Sequence, residues 1–105
     1  MTDRELLELA AKAAGIEGTW DRYADVFVPQ EGRIFWNPLN DDGDALRLAV
    51  KLRIKLIFRT NLNGEFVYAD ADGVMFQPQP AKPDPEAATR RAIVRAAAEI
   101  GRAKP

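Results

Sequence analysis

The residue types that usually do chemistry are scarce in this 105-residue chain. It contains no His, no Cys and no Ser. The commonest general base and transition-metal ligand are therefore missing, and so are thiolates and disulfides. A nucleophile would have to be Thr2, Thr19, Thr60, Thr89, a Tyr, a Lys or a carboxylate, with no imidazole to activate it. The glycines form neither a phosphate-loop nor a dinucleotide fingerprint. Carboxylates gather at Asp41, Asp42 and Asp44, and again at Asp70 and Asp72. Such oxygens suit Mg²⁺ or Ca²⁺. An EF-hand-type loop from Asp70 fails, because Val74 and Ala81 stand where ligands belong. The first cluster also reads as the cap of a helix, since acids favour a helix start. These residues predict a protein that is not an enzyme, with no cofactor and no metal site.

Charge is more informative. The chain carries 15 Lys+Arg and 16 Asp+Glu, for a net −1. That balance gives no overall pull toward nucleic acid or membrane. It is nevertheless polarised: residues 1–50 hold five cations against ten acids, and residues 51–105 hold ten against six. Arg47, Lys51, Arg53, Lys55 and Arg59 form a run with no acid among them. Strand periodicity puts Arg53, Lys55 and Arg59 on one face. Such a stripe could follow a phosphate backbone, recruit an acidic protein surface, or be a solvated edge that resists aggregation. The aromatic residues Trp20, Tyr23, Phe27, Phe35 and Trp36 all lie within 16–37. They either close one end of the core or offer a surface for binding. The candidate binding residues are thus Arg53, Lys55, Arg59, Trp20, Tyr23 and Trp36.

The elements that would carry these residues can be placed from pattern. Thr2-Asp3-Arg4-Glu5 is a capping box, and Leu6, Leu9, Ala10 and Ala13 follow at helical spacing, so a helix is expected over Asp3–Ala14, ended by Gly15. Val26-Phe27-Val28 and Arg33-Ile34-Phe35-Trp36 read as short strands around a Pro29-Gln30-Glu31-Gly32 turn. A second helix is expected over Asp42–Leu52. The period then changes from 3.6 to 2, and Arg53–Arg59 reads as a strand. Asn63-Gly64 and Asp72-Gly73 mark hairpin turns, with Glu65–Ala69 and Val74–Gln77 as the second and third strands of an antiparallel meander. Residues 77–83 read as a proline-rich, surface-lying spacer. Asp84-Pro85-Glu86 starts the last helix, with an Ala-rich buried stripe and Gly101 as its stop.

This order predicts an α+β protein with residues 1–105 as one domain. Three helices covering both faces of a three-stranded meander give a small α/β/α sandwich. Helices on one face alone would give a two-layer fold. The start of the chain lacks the basic and apolar pattern of a secretory signal, and no apolar run reaches the ~20 residues of a membrane span. A cytoplasmic protein is expected.

Three segments carry a family resemblance: Leu6–Ala11, Phe35–Leu52 with its Asn37-Pro38 turn before a helix, and Asp84–Gly101 with its Pro-started helix and paired arginines. Together they resemble small bacteriophage and prophage proteins of the "phage ABA sandwich" type. The resemblance implies helix–sheet–helix layering and a setting in the host bacterial cytoplasm. It implies no activity and transfers no functional residue. The expected role is a non-catalytic phage accessory protein that binds a host or phage protein, for instance to inhibit a host enzyme or defence system. The alternatives are a nucleic-acid-binding module on the basic strand, or a self-associating assembly protein.

Overall fold

The computed structural model describes residues 1–32 and 35–105. The chain is a small α+β protein with, among the described residues, three helices and an antiparallel meander. Helix α1 spans Asp3–Ala14 and helix α2 spans Asp42–Leu52. Both match the ranges expected from the caps. Thr2 and Glu5 form the reciprocal capping box, and Gly15 ends α1 at φ +72°. Helix α3 spans Pro85–Ala103, capped by the Asp84 carboxylate, which accepts from the Ala87 N–H at 3.0 Å.

The described residues also form two sheets. Strands β1 (Gly18–Asp21) and β2 (Val26–Pro29) form a hairpin, and Trp36 makes an isolated bridge to Phe27. Two residues of the expected strand at 33–36, Arg33 and Ile34, lie outside the described residues. Strands β3 (Lys55–Asn61), β4 (Gly64–Ala71) and β5 (Val74–Met75) make the meander. Asp72 and Gly73 turn β4 into β5, at φ +53° and +79°, the pair of positive φ values that a tight type I′ hairpin needs.

The spacer expected at 77–83 is instead part of the sheet. Strand β6 (Gln79–Pro80) pairs with β4, on the same side as β5. Asp70 faces Met75 and Ala71 faces Val74, whereas Val67 faces Gln79 and Phe66 faces Pro80. The register slips by one residue between these pairs. β5 and β6 are therefore one strand interrupted by a bulge around Pro78. A bulge and an edge are where a sheet accepts proline, which cannot donate to the ladder.

The core is continuous and small-sided. Ala10, Ala96, Ala97 and Ala98 are fully buried, alongside Leu6, Leu7, Leu48, Val67, Ile93 and Val94. Helix α3 is central: α1 lies along it, α2 leans on it, and it packs on β4 and β6. The residue expected to stop α3 does not do so. Gly101 lies within the helix, and a Cβ there would run into the Leu9 carbonyl. It is glycine so that the α1 and α3 backbones can touch. The helix ends are also tied by lysines: Lys12 donates to the Lys104 carbonyl and Lys104 to the Ala13 carbonyl, both at 3.0 Å.

Alternation along β4 decides the layers. Val67, Ala69 and Ala71 are buried toward the helices, while Phe66, Tyr68 and Asp70 point to the other side and are half-buried. Leu56 and Phe58 share the helical side, where they line a groove with α2 and α3. The α+β class, the three helices and the meander thus stand as expected, in the two-layer order: the described helices meet this sheet through one face.

Candidate functional site

The uncovered face of the meander can be built strand by strand. β3 and β4 pair Lys55 with Asp70, Ile57 with Tyr68 and Arg59 with Phe66. Directly paired residues point to the same side of a sheet. Lys55, Ile57, Arg59, Phe66, Tyr68 and Asp70 therefore form one patch, extended by Met75 and Pro80 across the next strand. Its centre is apolar and aromatic, and its β3 flank is cationic. The Arg59 guanidinium lies over the Tyr68 ring, 5.6 Å from the centroid. Such a contact stabilises an exposed cation modestly and holds it in a defined position. Phe66 and Tyr68 were not singled out from sequence. Their signal was the Phe66–Ala71 alternation of large and small side chains, in which the small set faces an Ala-rich helix.

The residues expected to bind are only partly brought together. Lys55 and Arg59 share this face. Arg53 does not: it caps α2 at φ +58°, before the strand begins, while the Ile54 N–H donates to the Ala49 carbonyl at 2.9 Å. The αL turn breaks the alternation that would have joined it to Lys55. Trp36 is 5% exposed and packs edge-on against Phe27, with ring centroids 5.7 Å apart. It is a core residue, so it offers no stacking surface. Trp20 is half-buried, with the Arg4 guanidinium 5.4 Å from its ring centroid. Tyr23 is wholly exposed on the β1–β2 loop, where the Asp21 carboxylate accepts from its N–H at 2.9 Å. The aromatic segment thus divides between buried Phe27 and Trp36, half-buried Trp20, and exposed Tyr23 and Phe35, well apart in sequence from the cationic strand.

The acidic cluster at 41–44 is structural. Asp41 caps α2, accepting from the Asp44 N–H at 2.7 Å. Asp42 pairs with Arg90 of α3 at 2.7 Å. Buried Asp44 accepts from Arg47 at 2.8 Å and from the Asn37 N–H at 3.0 Å. Arg90 also donates to the Leu39 carbonyl at 2.8 Å, and Arg91 pairs with Asp3 at 3.1 Å. These two arginines therefore tie α3 to its neighbours; they do not form a free basic face. Asp70 accepts from the Gly73 N–H and closes its own turn. Among the described residues, no three acidic side chains converge as metal ligands would.

One further feature flanks the patch. An open groove of about 380 Å³ runs between α2, α3 and the outer edge of β3, lined mainly by Leu46, Leu56, Phe58 and Ile93, with Asp42 and Glu86 at its margin. Among the described residues, no helix is long and apolar enough to cross a membrane. Comparison with known proteins adds no relative: no family model, no curated protein and no solved structure matches the chain.

Proposed function

We propose that this protein is a binding module without catalysis of its own, which docks another protein on the uncovered face of its meander. The observation that carries this reading is the composition of that face: Ile57, Phe66 and Tyr68 at the centre, Lys55 and Arg59 along one side. Aromatic and aliphatic groups left half-covered on a rigid sheet mark an interaction surface. The cations select a partner whose apolar contact is bordered by acids, and they steer its approach. The setting is that of the resemblance, a phage or prophage accessory protein acting in the host cytoplasm on a host or phage protein. Replacing Lys55 and Arg59 together by Glu reverses the flank while keeping the fold, since both side chains are exposed. Partner capture is expected to be lost in that variant.

One observation favours a second reading. A guanidinium over a tyrosine ring beside an exposed-side phenylalanine, on an antiparallel sheet, is also how single-stranded nucleic acid is stacked. That reading requires binding to single-stranded DNA or RNA that weakens steeply with salt. A gel shift at low salt decides it: no shift removes it.

A further inference from the structure

The meander has two edges, and they are built differently. The β5–β6 edge is broken by the bulge and by Pro78 and Pro80. Prolines and bulges are the usual means of blunting an edge against further pairing. β3, by contrast, runs seven residues without a break and, among the described residues, pairs only with β4. Its hydrogen-bonding direction follows from its neighbours. The Glu65 and Ala69 carbonyls accept from Ala81 and Phe76, away from β3. Phe66, Tyr68 and Asp70 must therefore bond β3, through Arg59, Ile57 and Lys55. Leu56, Phe58 and Thr60 are left with their N–H and C=O groups pointing off the edge.

Apolar side chains collect beside those groups. Phe58 is 66% exposed on β3, and Leu46 and Val50 are 65% and 66% exposed one turn apart on α2. Charge along the edge is dipolar. Lys51, Arg53 and Lys55 stand at the start of β3; Glu65 lies opposite Thr60 near its other end, and Glu86 lines the groove beside Phe58, where Asp42 and Arg90 neutralise one another.

We propose that the β3 edge pairs with the β3 edge of a second copy, antiparallel and about a two-fold axis at Phe58. The outward-pointing residues then match: Phe58 faces Phe58, and Leu56 faces Thr60 in both directions. Lys55 falls opposite Asn61 and Arg59 opposite Ile57, so no like charges are directly opposite one another. Moving the axis by one residue puts Lys55 opposite Arg59, or Arg59 opposite itself, which is repulsive. The antiparallel arrangement lays the basic end of each edge beside the acidic end of the other. It also joins the Phe58 and Leu46 side chains of both copies into one apolar seam. An acidic peptide would match the basic end of the edge and be repelled at the other, so the dipolar pattern selects a second copy. Closure about the axis uses up the open edge and stops growth at two.

Sedimentation of the purified chain from about 1 µM to about 1 mM tests this directly. The expected result is a monomer–dimer equilibrium that weakens with salt. Phe58→Asp and, separately, Leu46→Asp are each expected to raise the dimer Kd at least about tenfold, as for a central apolar anchor. Far-UV circular dichroism checks that each variant keeps its fold. A monomer at every concentration overturns the proposal. So does a dimer that both folded variants leave unchanged, or a polymer that keeps growing. The measurement uses no partner, so its failure leaves the reading of the uncovered face standing.

Discussion

Trp36 and Tyr23 lie thirteen positions apart in one aromatic-rich segment, yet their surroundings give them opposite roles. Trp36 is sealed against Phe27, and Trp36→Ala is expected to destabilise by roughly 3–5 kcal/mol in urea denaturation, the usual cost of emptying an aromatic site. Tyr23 stands free on its loop, and Tyr23→Ala is expected to stay within about 0.5 kcal/mol. Residue type alone could not separate the two, because burial of a ring is decided by which elements close over it. Local chemistry was legible by contrast. The Thr2–Glu5 box forms as its four-residue spacing implies. The Thr2 backbone N–H, and then its hydroxyl, hold the Glu5 carboxyl below its ordinary value. A carboxylate with a lowered folded pKa contributes stability above its unfolded value and loses it as pH falls through the folded one. Glu5→Gln is therefore expected to flatten the loss of α1 helicity on acidification, read by circular dichroism between neutral pH and the acid end of the carboxylate range.

Helix boundaries were readable because caps are made within a few residues of the chain. Asp84→Ala removes the carboxylate that takes the Ala87 N–H, and is expected to cost α3 about 1 kcal/mol, measured as a shift in the denaturation midpoint. Two features of the elements depend on distant chain and were not readable. Gly101 looked like a helix stop because glycine commonly is one; here it is the point where α3 meets the Leu9 carbonyl of α1. Gly101→Ala raises helix propensity yet is expected to destabilise by about 3 kcal/mol, since a backbone carbonyl cannot yield as a flexible side chain would. An increase in stability would mean that α1 and α3 do not approach so closely. The proline segment misled in the same way. Proline argues against a central strand, but the bulge that lets Gln79-Pro80 continue the third strand exists only because β4 is there to pair with.

The layering of the whole molecule follows from side-chain size. α3 carries alanines on the sides turned to its neighbours, and β4 turns Val67, Ala69 and Ala71 toward it, so one helix fills one face of the meander. The larger Phe66 and Tyr68 are left on the opposite face with the β3 cations. Half of that surface, Lys55 and Arg59, was legible from the strand period. The aromatic half was not, because it requires knowing which side of β4 the helices take. Binding through this face is the central claim. It is tested most directly by capture of partners from lysate of its native cells on the tagged chain, with and without nuclease, beside the Lys55→Glu/Arg59→Glu double variant. The expected result is one protein enriched regardless of nuclease and lost in the variant. Enrichment that disappears with nuclease, or that the folded variant retains in full, would contradict it.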